Sequence, residues 1–273
     1  MIEHYFDYNQ DRKDFCFEFF YVTQNKKVDA AFLEDLKEKV LLSYRSIEAL
    51  KFHLSESSED EIKKYVTDYV IPENAGIIDR IVRQGDWGEI VAGLIVANIQ
   101  KLSIPIHKLR WKINKNKSVF GTDLIAFNPG DPITDIHYYE IKTRVASHQK
   151  EGTNPNRNYI SIIAHNSLAK ENNVPNEMLA DFLMRYYVEQ NDYASAAKFK
   201  DIVKNPSAYN RNFELFFIVE ENNYTDTIFD ELHNLPPQLA PLRVTVIIIK
   251  DLQKIIDETW QDIDQRLVDM IKK

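Results

Sequence analysis

The chain has one cysteine in 273 residues, which excludes a disulfide framework and any cysteine-based zinc cluster. That residue, Cys16 in the run Phe15-Cys16-Phe17, is expected in the core. Its seven histidines show no His-Glu-x-x-His spacing, so the zinc-peptidase pattern is missing. His148 and His165 follow the central strands and read as structural or surface groups. Glycine is scarce, and none of the seven builds a Gly-x-x-x-x-Gly-Lys-Ser/Thr loop or a Gly-x-Ser-x-Gly elbow. P-loop ATP hydrolysis and the serine-hydrolase elbow are thereby excluded. No apolar run approaches the roughly 18 residues of a membrane span. The opening Ile2-Glu3-His4-Tyr5 does not read as a signal peptide, so the expectation is a soluble cytoplasmic protein.

What is present points to a folded globule: 44% of residues are hydrophobic and 12% aromatic. The net charge of −8 argues against a polyanionic partner until its distribution is considered. No acidic residue occurs from Ile90 to Thr122, whereas Lys101, Lys108, Arg110, Lys112, Lys115 and Lys117 all do. Residues 90–170 hold eleven basic and five acidic residues, a net of +6, so the remainder carries −14. Lys108, Arg110, Lys112, Lys115, Lys117 and Arg144 are the candidates for contact with nucleic-acid phosphates.

Residues 1–74 read as an α+β extension ending at Pro72-Glu73-Asn74. It combines a strand from Asp14 to Thr23, a helix from Val28 to Leu50 and a helix from Glu61 to Tyr69, the last capped by the Ser-rich acidic stretch before it. Residues 75–273 form the main domain. A helix from about Ile77 to Gln100 precedes strands near Lys108 to Ile113, Val119 to Phe127 and Ile136 to Thr143. A polar stretch from Val145 to Asn158 and a short apolar run, Tyr159 to Ala164, follow. A helical pattern runs from Asn176 to about Val203, with Tyr186-Tyr187 on it. That pair, and Tyr138-Tyr139, could stack on bases, although core packing is the better account of at least one of each. Phe213 to Val219 and Val244 to Ile249 lack alternation, so both are expected as strands buried on two faces. Leu252 to Ile271 reads as one amphipathic helix.

The chemistry concentrates in three segments. In a strand successive side chains alternate, so Glu140 and Lys142 share a face while Ile141 points away. If the neighbouring strand brings Asp123 of Gly121-Thr122-Asp123 alongside, two carboxylates and an ammonium meet on one surface. Carboxylate pairs hold hard divalent cations, and an adjacent lysine can hold an attacking water or a developing negative charge. Such a set cleaves phosphodiesters. The third segment, Gln84-Gly85-Asp86-Trp87-Gly88-Glu89, opens an apolar stripe through Trp87, Ile90, Val91, Leu94 and Ile95. Glu89 lies off that stripe, and its helical neighbours Gly85, Asp86, Ala92 and Gly93 include no cation.

These segments, with Leu124-Ile125 and Tyr139 beside them, resemble the HamA family, nuclease subunits of the bacterial Hachiman anti-phage system within the PD-(D/E)xK superfamily. The superfamily often has proline before its first aspartate, where this chain has Thr122. The resemblance implies a restriction-endonuclease-like α/β core, a mixed sheet flanked by helices. It implies that Asp123, Glu140 and the backbone carbonyl of Ile141 hold Mg²⁺ or Mn²⁺. Glu89 would complete the metal shell directly or through water, with Asp86 as its substitute, and Lys142 would act at the reacting phosphate. It further implies a metal-dependent DNA nuclease restrained by a HamB-like helicase that supplies the ATPase this chain lacks. Two other readings stand beside it: an inactive nuclease-like scaffold that binds a partner, and an RNA- or nucleotide-directed hydrolase on the same core.

Overall fold

Two long apolar runs pack as the centre of one mixed sheet. In the computed structural model, which describes residues 2–11, 16–105, 107–117, 121–145, 160–170, 178–234 and 239–273, six strands line up. They are β1 (Phe6–Asp11), β2 (Glu18–Gln24), β3 (Leu124–Phe127), β4 (Asp135–Arg144), β5 (Asn210–Glu220) and β6 (Leu242–Ile249), in the order β1-β2-β6-β5-β4-β3. β2, β6, β5 and β4 run parallel to one another, and β1 and β3 close the two edges antiparallel. The central pair is buried on both faces: Leu215, Phe216, Phe217, Val244 and Val246 are fully covered. This is the expected consequence of a parallel pair with helices on either side. The fold is therefore α/β, a six-stranded mixed sheet flanked by helices.

On one face lie α1 (Ala30–Tyr44), α4 (Ile77–Asn98), α8 (Leu252–Trp260) and α9 (Ile263–Lys272), sharing a core with Tyr139, Ile141, Phe216, Ile218 and Ile247. The other face is covered by α5 (Ile160–Ala169), α6 (Met178–Glu189) and α7 (Tyr193–Lys204), packed on Ile136, Tyr138, Leu215 and Phe217. Residues before 75 enter both parts: β2 hydrogen-bonds β6, and α1 helps fill the first core. The expected boundary at 74–75 thus crosses a continuous sheet. Among the described residues no helix is long and apolar enough to cross a membrane.

Several sequence expectations change. The helix expected from Val28 to Leu50 breaks into α1 and α2 (Ile47–Leu54) because Ser46 caps the second, its side chain accepting from the Ala49 amide. The helix expected at 61–69 begins earlier, as α3 (Glu59–Tyr65), with Ser58 and Glu61 forming a reciprocal capping box. The patterns ending near Val203 and Ile271 are each two helices, interrupted where Asn191 and Asp262 adopt left-handed backbone at φ 59° and 53°. Lys108 to Ile113, expected as a strand, contains a 3-10 turn at Lys108–Trp111, with only Leu109 and Lys112 buried. The apolar run before Ala164 is the start of α5. Cys16 is exposed, since Phe17 and Phe19 turn inward and the parity of the chain leaves it outside. The edge strand β1 is additional to the expected elements, and its apolar alternation is confined to Phe6 and Tyr8. Of the third expected strand, Leu124–Phe127 is formed, and its residues 119 and 120 lie outside the described residues, as do His148 and most of the polar stretch that contains it.

Burial keeps three imidazoles neutral. It pushes His107 and His137 down to about 4, and it lowers His165 as well. Because the folded value lies below the ordinary 6.5, the stabilisation is complete above that pH and declines as the pH falls toward 4. The thermal unfolding midpoint is expected to drop between pH 6.5 and 5, and His107→Gln with His137→Gln should flatten that slope. A pH-independent wild-type midpoint across this window, measured by circular dichroism, would contradict the assignment.

Candidate active site

The cluster begins where β3 leaves the sheet. Leu124 pairs with Tyr139, so Asp123, one step earlier, stands opposite Glu140. Gly121 makes the approach possible with φ +98°, a conformation that side-chain-bearing residues rarely adopt. The Asp123 amide donates to the Tyr139 carbonyl at 3.2 Å, and its Oδ2 accepts from the Ile141 amide at 2.8 Å. The Asp123 carboxylate therefore adds one rung to the ladder just before β3 begins. N–H and C=O of one strand residue leave on the same side. The Ile141 carbonyl accordingly faces the same open edge as Asp123.

Glu140 and Lys142 occupy the face of β4 toward α5 and form an ion pair, with Lys142 Nζ also 4.0 Å from Asp123 Oδ2. Glu140 is buried, and its carboxyl is raised by that burial and by Asp123, while Lys142 and a hydrogen bond with Ser167 of α5 oppose the shift. The juxtaposition of Asp123, Glu140 and Lys142 expected from the sequence is therefore present.

The third segment comes from α4, whose residues 86 to 89 each meet a different element. Asp86 is buried between the Tyr44 hydroxyl of α1 and the Lys112 ammonium, hydrogen-bonded to both. Burial raises its carboxyl, and Lys112 opposes that. Trp87 is buried and donates Nε1–H to Thr259 of α8 at 3.1 Å. At Gly88 a Cβ would lie 1.8 Å from Thr143 Oγ1 and 3.1 Å from Thr143 Cβ, so only glycine lets α4 come this close to β4. Glu89, its side chain 16% exposed, lies 3.6 Å from Lys108 Nζ. Burial pushes its carboxyl up to about 8, with Asp123 adding to the rise and Lys108 opposing it.

Lys108 joins the two halves. Its ammonium donates to Asp123 Oδ1 at 3.2 Å and to the Thr122 carbonyl at 3.5 Å, besides facing Glu89. The helical neighbours of Glu89 gave no hint of this cation, because the pairing is between distant segments. Among the described residues no three His, Cys, Asp or Glu side chains gather closely enough to hold a metal ion. Asp123 and Glu140 supply two carboxylates, and the Ile141 carbonyl would be the third oxygen, a donor set that suits a hard divalent cation. Asp86 is not available as a substitute ligand, being occupied by Tyr44 and Lys112.

The expected phosphate contacts divide. Lys112 is buried against Asp86, and Lys108 is turned into the carboxylate cluster, so neither offers a free charge to a polyanion. Lys115 is tied to the Thr67 carbonyl at 2.6 Å and to Glu73 at 3.2 Å. Arg110 is exposed but donates to the Leu42 carbonyl at 2.9 and 3.1 Å. Lys117 and Arg144 are exposed. Tyr138 and Tyr139 are both buried, which settles that pair as core. Tyr187 stacks on Phe199, and Tyr186 meets the edge of Trp111. His165 is buried on α5, as a structural group would be.

In comparisons with known proteins, the sequence profile of the HamA family matches residues 1–267 of the chain. No curated protein matches it.

Two substitutions test this architecture without touching the strand carboxylates. Lys112→Met preserves bulk but leaves Asp86 buried without its cation, and should cost about 3 kcal/mol or more of folding stability. Gly88→Ala should cost about 1–3 kcal/mol by forcing α4 off β4. Lys117→Ala, on the surface, should change little, and denaturant midpoints for the three variants would check the ranking.

Proposed function

The chain belongs to the HamA family of the Hachiman anti-phage defence system, and we propose that it is a metal-dependent nuclease of the PD-(D/E)xK type acting on DNA. The observation that carries this reading is the facing pair Asp123 and Glu140 with Lys142 alongside. In this reading Asp123, Glu140 and the Ile141 carbonyl hold one Mg²⁺ or Mn²⁺ ion. Such an ion supplies Lewis-acid polarisation of the phosphate and a more acidic bound water.

The remaining work falls to side chains. Lys142, ion-paired with Glu140, favours the carboxylate form that burial disfavours. Its ammonium is the fixed charge that would meet the developing negative charge on the phosphorane oxygens. The Ile141 amide holds Asp123 in one rotamer, so the two carboxylates are oriented before any ligand arrives. Lys117 and Arg144, exposed, are the groups left to meet the flanking backbone.

Membership of the HamA family is what supports a HamB-like helicase as the partner that delivers DNA and restrains the cut, and this chain carries no P-loop motif of its own. Glu140→Ala and Lys142→Ala should each reduce Mg²⁺-dependent plasmid cleavage by about two orders of magnitude or more while leaving the fold intact. Cleavage by the folded double variant at the wild-type rate would remove the site from the chemistry.

A further inference from the structure

Lys108 stands among oxygens of the kind that hold a metal ion, and its surroundings define what it does. The ammonium lies 3.2 Å from Asp123 Oδ1, 3.6 Å from Glu89 Oε2 and 3.5 Å from the Thr122 carbonyl, and the side chain is only 15% exposed. Three oxygens, two of them carboxylate, thus converge on one nitrogen. The opposite oxygen of Asp123 takes the Ile141 amide and faces Lys142 and Glu140. Asp123 therefore has two sides, one toward Glu140 and one filled by Lys108.

Counting the charges favours one ion over two. The cluster contains Asp86, Glu89, Asp123 and Glu140 against Lys108, Lys112 and Lys142. With all seven ionised, the most negative state the cluster can reach while its lysines stay charged and one that requires a pH above the Glu89 value of about 8, the sum is −1. One divalent ion and one phosphodiester bring it to zero. A second divalent ion would leave an excess of two positive charges in a partly buried site, which low-dielectric surroundings penalise.

We propose that Lys108 is a tethered cation that occupies the second ion position, between Glu89 and Asp123, so that the centre takes a single divalent ion on Asp123, Glu140 and the Ile141 carbonyl. This rests on the metal-dependent reading above, and it changes one role within it. Glu89 is the partner that positions Lys108 rather than a ligand of the ion. Lys108 in turn fixes Asp123 from the side away from Glu140, making it a positioning residue for the carboxylate that holds the metal. The recognised species is a bare divalent cation, with no nucleic acid needed for the effect to be seen.

Titration of the full chain with Mn²⁺, followed by calorimetry and by the electron paramagnetic resonance of free Mn²⁺, separates the possibilities. Wild type should bind one ion, and Glu140→Ala should bind none. Lys108→Met should bind a second ion, or bind the first at least tenfold more tightly, and Lys108→Arg should restore the wild-type stoichiometry. Glu89→Gln in the wild-type background should keep the single ion with no more than about a twofold change, which tests the idea even if Lys108→Met does not fold. Two ions in wild type, an unchanged isotherm for folded Lys108→Met, or a tenfold loss in Glu89→Gln would each overturn the assignment of Lys108. The metal-dependent reading would survive those results, so long as Glu140→Ala abolished binding. No ion bound by wild type or by Lys108→Met would overturn both.

Discussion

One turn of α4 joins all the layers, through the near contact of its backbone at Gly88 with Thr143 of β4. Successive helical residues point about 100° apart. Asp86, Trp87, Gly88 and Glu89 therefore face four directions and meet α1, α8, β4 and the Lys108 segment respectively. A side chain at position 88 would separate helix and strand, and each of the other three contacts would shift with the helix axis. The distance from the Glu89–Lys108 pair to Asp123 is thus set by a backbone-to-sheet approach. Close-packed interiors transmit such displacements instead of absorbing them.

What was legible in the sequence followed from local periodicity. Asp123, Glu140 and Lys142 converge because strand parity and one antiparallel register are enough to bring them together. The buried pair β5 and β6 was likewise plain from uninterrupted apolar runs. What was not legible depended on partners far away in the chain. A charge count cannot separate Lys112, buried on Asp86, from Lys117, in solvent, although both belong to the same acid-free stretch. Helical spacing relates Glu89 only to residues within one turn in either direction, whereas its cation is Lys108. Helix breaks at Ser46, Asn191 and Asp262 were hidden because apolar periodicity continues across them while the backbone does not.

The acid-free stretch reads differently once folded. Lys108 and Lys112 balance buried or half-buried carboxylates, and Lys115 bonds to a backbone carbonyl and Glu73. These cations therefore contribute little to the long-range field of an acidic chain with net charge −8. The positive charge of this segment is spent on holding α4 to its neighbours and on neutralising the cluster. Any attraction to phosphate would come from fewer groups than the count suggests, so it would be weak and, with few counterions released, only shallowly salt-dependent.

The order of strands also governs how the protein is made. β6 lies between β2 and β5, yet it follows the five other described strands in the chain. A nascent chain that has emerged only as far as residue 241 holds two sheet fragments, β1-β2 and β5-β4-β3, with the strand that joins them still in the ribosome. Pairings of such large sequence separation form late and slowly. The carboxylate strands are complete early, whereas α8, which anchors Trp87 through Thr259, follows β6. The turn of α4 that aligns the cluster is locked only once α8 has emerged, so shorter nascent chains carry the site's residues without the scaffold that aligns them.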